Sequence, residues 1–259
     1  MAVSPLPVTL VAPRNLVVER WTFVGSAVAM IAVSVAGFTP SLAHPASRRA
    51  PMSLLAAAHG LVFFAWQILF LAQTLLIATQ RTAVHRRLGL AGAVLYFAMI
   101  PLGLETTIAM GRRGFDLSGD LKILPYPSPG FVDPVTGLLF PVTDLGMFAI
   151  LAGAALAFIG RREIHKRLML FANIILLPAP LAHMIGHNSR LAALPAAIIM
   201  VPIGFFLAVA IVRDFLVERR VHRLTWVVAI LMFVSGPFRA FVVGPSPAWH
   251  HFAAWLTRW

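Results

Sequence analysis

Long apolar runs separated by short basic turns set the rhythm of this chain. The run over residues 52–80 contains no Asp, Glu, Lys or Arg. As a helix it would rise about 40 Å at ~1.5 Å per residue, enough to cross a hydrocarbon layer ~30 Å thick. The same plan recurs, and the pattern predicts seven transmembrane helices over 21–38, 52–80, 88–110, 135–160, 168–185, 191–212 and 224–243. Prolines inside these runs do not argue against helix, because neighbouring spans and local backbone adjustment satisfy the freed groups. The expected fold is therefore an all-α integral membrane protein, one bundle of about seven helices.

The flanks complete that organisation. Residues 1–20 form a mixed, Pro-containing lead-in, and 21–243 form the seven-helix membrane domain. Residues 244–259 form an amphipathic tail. In the tail, Ser246-Pro247 is a helix-start signal, and Trp249, Phe252, Leu256 and Trp259 recur at helical spacing opposite His251 and Arg258. This predicts a short interfacial helix. A signal peptide ending near Ser41-Leu42-Ala43 competes for the first run, but the lead-in is long for one, so an uncleaved first helix is expected. The polar segment 111–134 reads as a lid or a re-entrant loop.

Composition strengthens the membrane class. Hydrophobic residues make up 59% of the chain and charged residues 12%, about half the charged share of a soluble domain. The net charge of +12 sits in short turns between apolar runs, which points to membrane orientation and anionic headgroups and away from nucleic acid. Arg14, Arg20, Arg81, Arg86, Arg87, Arg161, Arg162, Lys166, Arg167, Arg213, Arg219, Arg220 and Arg223 fall on one side, which is therefore expected to be cytoplasmic. The predicted location is a bacterial inner membrane, with the N-terminus inside and the C-terminus outside. The chain has no Cys, which excludes disulfides, thiolate metal sites and thiol nucleophiles. Any metal or cofactor then falls to His, Asp, Glu or Met.

A short motif repeats at the basic turns: QRTAVHRRLG, GRREIHKRLM and ERRVHRLTW, carrying His85, His165 and His222. The plain reading of these histidines is interfacial anchoring. With His59 early in the second span, His85-Arg86-Arg87-Leu88-Gly89 and His165-Lys166-Arg167-Leu168-Met169 form an HRxxG turn and a later HxRLM turn. This resembles uncharacterised bacterial multi-pass membrane proteins, a resemblance that covers the second to fifth spans and implies no assigned chemistry. A looser likeness is to transmembrane b-type cytochromes, which implies haem gripped by histidines on different helices.

Placed by depth, His59, Glu105, Asp144, His183, His187 and Arg239 all fall toward the outer ends of their spans. Ionisable groups inside a bilayer are costly and mark functional sites by default. Two sharp readings follow. His59 and His183 as axial ligands would hold haem b, for redox work coupled to membrane quinol. Alternatively His183 and His187, at i and i+4, join His59 around zinc, with Glu105 or Asp144 as the catalytic base of a lipid hydrolase. That set resembles the adiponectin-receptor and alkaline-ceramidase superfamily, which places its HxxxH in the last helix. A third reading is structural: Glu105 or Asp144 pairs with Arg239, His59 and His183 are hydrogen-bonded between helices, and His187 lies in a loop with Arg190. The protein is then a non-enzymatic membrane or assembly factor. Gln67, Gln73 and Asn173 read as interhelical glue. The two lysines, Lys122 and Lys166, lie in predicted loops, so no retinal-binding lysine is in place.

Overall fold

The computed structural model describes residues 15–45, 51–114, 136–186 and 196–258. Within them the chain is helical, and seven helices are long and apolar enough to cross a membrane. The protein is thus an all-α, multi-pass membrane protein with a short C-terminal helix. The elements are α1 Leu16–Ala43, α2 Leu54–Ala78, α3 Thr82–Arg113, α4 Leu139–Ala157, α5 Arg162–Ile174, α6 Pro178–Gly186, α7 Met200–Glu218, α8 Arg223–Phe238 and α9 Pro247–Leu256. Short 3₁₀ turns lead into α4 and α7, and α8 runs on into a π-type turn, Arg239–Val243.

Several spans extend past their expected ends, all in one way. Hydropathy stops a span at the first charge, whereas α5 starts at Arg162, α7 runs to Glu218 and α3 starts at Thr82. The segment 213–223, read as a charged turn, is helical to Glu218; only the four residues before Arg223 form the turn, with Arg219 left-handed at φ 55°. Arg167, Arg213 and Asp214 are therefore buried helix residues rather than loop residues.

The fifth span is two helices. Pro178 has no N–H to give to Ile174, so the backbone tightens to Leu176 N–H···O Asn173 and Leu177 N–H···O Ile174 before α6 begins. The composite α5–α6 span is the centre of the bundle: 61% of its apolar window is buried, against 11% for each of α2 and α3, which form a rim hairpin. Around it pack α1, α4, α7 and α8, with Phe148, Phe171, Ile174, Leu177 and Met99 fully enclosed. Trp66 meets the Phe148 ring edge-on at 5.3 Å, and the Tyr96 hydroxyl donates to the Ala149 carbonyl at 2.9 Å, joining α3 to α4.

A second, smaller cluster seats α9. Trp249, Ala253 and Leu256 are buried, and Trp249 and Ala253 pack with Leu138 and Leu139. Phe252 and Trp255 remain exposed. The expected single aromatic face is thus divided between a docking side and an outward side; Trp259 lies outside the described residues. Arg112 Nε donates to the Thr257 carbonyl at 3.0 Å and holds the end of α9 to α3.

One crossing sets the seat of His183. A Cβ added to Gly37 of α1 would overlap the Pro180 carbonyl oxygen and lie 2.8 Å from Pro180 Cα. Only a bare Cα lets α6 lie this close to α1, and one turn later Ser41 meets His183. Gly37→Val should force the helices apart and cost about 1–3 kcal/mol by overpacking. Thermal unfolding in detergent should show a clear loss for Gly37→Val and none for Gly25→Ala, where the added methyl meets open space.

Candidate functional site

The ionisable residues form two layers, one at each end of the bundle. At the end opposite the basic turns, Asp144 of α4 is ion-paired with Arg239, the first residue of the π-type turn after α8. Arg239 Nη1 also donates to Thr143 Oγ1 at 2.7 Å, its Nε to the Ser235 carbonyl at 3.2 Å, and its guanidinium lies 4.8 Å from the Phe140 ring centroid. The guanidinium is thereby held on three sides, and the Asp144 carboxylate faces a fixed cation.

The two histidines at this end belong to different helix pairs. His59 on α2 stacks on Phe63 with centroids 4.0 Å apart and meets Thr106 Oγ1 of α3 at 3.2 Å. Thr106 spends its single hydroxyl proton on the Leu102 carbonyl at 2.6 Å. His59 must then donate from Nδ1–H, which leaves the lone pair on Nε2. His183 on α6 is buried, with Nδ1 3.4 Å from Ser41 Oγ of α1 and its ring 4.7 Å from Phe38. Glu105 is exposed on α3. His187 lies outside the described residues. Among the described residues no three of His, Asp or Glu come together as a metal-ligand group.

The second layer, at the basic end, was not anticipated. Arg167 of α5 forks onto Asp214 of α7, Nη2 to Oδ1 at 2.7 Å and Nε to Oδ2 at 3.1 Å. The same guanidinium reaches Glu163 Oε2 at 2.6 Å and Glu218 Oε1 at 2.5 Å. Asp214, 1% exposed, also accepts from Arg213 Nη1, from the Thr225 hydroxyl of α8 and from the His222 backbone N–H. Arg213 Nη2 lies 3.3 Å from Glu19 Oε1 of α1, and Lys166 bridges Glu19 and Glu163 at 2.8 and 2.7 Å. Seven ionised groups thus tie α1, α5 and α7 together, and Thr225 adds α8. A void of ≈ 10 Å³ beside Arg167, Arg213 and Asp214 is at the lower limit for a single water. Next to it, an open apolar cleft of ≈ 290 Å³ runs between α1 and α7, lined by Val18, Phe205, Val209 and Leu216, a shape that suits lipid acyl chain.

A signal for this layer was present in the sequence. Four of the nine acidic residues, Glu19, Glu163, Asp214 and Glu218, sit among basic residues otherwise selected for positive charge. Glu163 and Arg167 are also spaced i, i+4, as are Asp214 and Glu218. The glue role expected of Gln67 and Gln73 is not met by their carbonyl oxygens, both buried without a donor, and the Asn173 amide donates within its own helix, to Met169 O at 2.8 Å. Comparison with protein-family models, curated proteins and solved structures gives no match.

The Asp144–Arg239 pair predicts strong non-additivity. Asp144→Ala or Arg239→Ala alone leaves a buried charge unpaired and should cost about 3 kcal/mol. The double variant should lose less than the sum, with a coupling of at least about 0.5 kcal/mol in thermal or denaturant unfolding. Simple additivity would mean that the two groups do not depend on each other.

Proposed function

We propose that this chain is a non-enzymatic, polytopic component of a bacterial inner membrane, of the membrane or assembly-factor class, in contact with membrane lipids. The observation that carries this reading is the Asp144–Arg239 pair. It occupies one of the two carboxylates expected to serve a hydrolase as base, and the other, Glu105, is exposed on α3, while His59 and His183 hydrogen-bond to hydroxyls on different neighbouring helices. A base must be free to take a proton from water or substrate, and Asp144 is held against a guanidinium instead. Purified protein should show no Soret band and no stoichiometric zinc. A Soret band lost on His59→Ala or His183→Ala, or zinc lost on His187→Ala, would overturn this reading.

A second reading has one specific observation in its favour. The Thr106 hydroxyl fixes the His59 tautomer so that Nε2 presents a lone pair, as metal- and haem-ligating imidazoles do. Under it, His59 and His183 hold haem b or a metal, and redox exchange with quinol follows. The same spectrum and metal analysis decide between the two.

Orientation has its own test. A periplasmic reporter fused after Trp259 or within residues 116–122 should be active, and one fused near Arg162 or Arg219 inactive. The reverse pattern would move the Asp144–Arg239 layer to the cytoplasmic side.

A further inference from the structure

The outer surface of the bundle is concave between α1 and α7. Val18 and Thr22 of α1 face Phe205, Val209, Val212 and Leu216 of α7 across the open apolar cleft of ≈ 290 Å³. Along α7 the lining from Phe205 to Leu216 is about 16 Å long at ~1.5 Å per residue, roughly half of a ~30 Å hydrocarbon layer. It ends at Leu216, one turn before Arg219 leaves the helix. The cleft therefore lies within one leaflet, the one at the basic end, and opens at headgroup level. Spread over that length, its volume leaves a section of about 20 Å², whereas a helix with its side chains is ~10 Å across. A single hydrocarbon chain fits, and a partner helix does not.

Two features at the same end select the kind of lipid. Arg213, 3% exposed, forms part of the cleft wall, and its Nε is buried with no hydrogen-bond acceptor. Its charge is shared by Asp214, Glu218 and Glu19, so what remains is a donor N–H at the edge of the hydrocarbon. A buried donor of this kind calls for an acceptor, and a phospholipid carries its ester and phosphate oxygens at that level. Beyond the cleft, Arg219 and Arg220 are exposed and make no ion pair among the described residues. The carboxylates nearby are already engaged: Glu19 by Lys166 and Arg213, and Glu218 by Arg167 and Arg213. The unspent charge at the mouth is therefore positive.

We propose that the α1–α7 cleft binds one anionic phospholipid of the basic-side leaflet. One acyl chain lies along Phe205, Val209, Val212 and Leu216, the phosphate meets Arg219 and Arg220, and a lipid oxygen accepts from Arg213 Nε–H. The site deepens the lipid contact proposed above and rests on it, turning a general lipid coat into one position with a headgroup preference. Basic residues at a membrane surface attract anionic lipid, and two of them should favour an anionic over a zwitterionic headgroup about tenfold. Because that attraction is electrostatic, it should weaken as salt is raised.

The test uses the full chain in phosphatidylcholine nanodiscs doped with a trace of phosphatidylglycerol that carries a diazirine in its acyl chain. After photolysis, peptide mass spectrometry should find the label concentrated on residues 205–216 and around Val18. It should be several-fold sparser on the exposed faces of α2 and α3, at Leu61, Leu90 and Phe97. The same diazirine on phosphatidylcholine should label the cleft about tenfold less. Arg219→Gln/Arg220→Gln should remove that preference without changing the label on α2 and α3. Val209→Trp fills the cleft and should cut labelling near Val18, whereas Val227→Trp, on the exposed face of α8, should not. Because a variant can lose its fold, the wild-type map decides by itself. Label spread evenly over every lipid-facing helix, or equal cleft labelling by both lipids, overturns the site and leaves the lipid contact standing. Absence of label from all helices overturns both.

Discussion

A buried arginine–aspartate fork governs the basic end of this bundle. Arg167 and Asp214 are 3% and 1% exposed, deep enough that either charge alone would carry a large desolvation cost. Each is made tolerable by the other and by a complete surrounding shell: Glu163, Glu218 and Thr225 around Arg167, and Arg213, Thr225 and the His222 amide around Asp214. The shell reaches α1 through Glu19 and α8 through Thr225, so these helices are fixed here in register and rotation. Lipid supplies no hydrophobic drive for helix–helix association, so such polar ties and close backbone approaches set how the spans pack. The Gly37–Pro180 crossing and the Asp144–Arg239 pair do the same work toward the other end.

The class of the fold was legible in the apolar runs, and each predicted span corresponds to one helical span. Their ends were not. Hydropathy treats every charge as water-facing, so it stopped the fifth span short of Arg167 and the sixth short of Asp214, and the most buried charges were assigned to turns. A carboxylate and a guanidinium that neutralise each other inside a helix layer look, one residue at a time, like two loop residues. The divided aromatic face of α9 was missed for a related reason. Periodicity shows which residues share a face, but only packing against Leu138 and Leu139 shows that Trp249 docks while Phe252 and Trp255 point away.

At the candidate site, depth was legible and partnership was not. His59, Glu105, Asp144, His183 and Arg239 do gather toward one end, and the structural alternative anticipated the Asp144–Arg239 pair and interhelical bonds for both histidines. Which hydroxyls the rings meet, Thr106 for His59 and Ser41 for His183, depends on helix rotations that spacing does not encode. Nor does a repeated motif reveal that two of its three copies bring His85 and His165 side by side while the third uses His222 as a helix cap.

The central claim is that the Arg167–Asp214 fork holds the spans together, and the most direct measurement separates breaking the fork from replacing it. Unfolding of Arg167→Met, Asp214→Leu and the double variant would be followed in detergent, with hydrogen exchange of α1, α5, α7 and α8. Each single change should cost about 3–5 kcal/mol and raise exchange at the basic ends of all four helices, because it strands a buried charge. The double change should recover much of that loss. Single variants as stable as the wild type, with exchange unchanged in α1 and α8, would contradict the account.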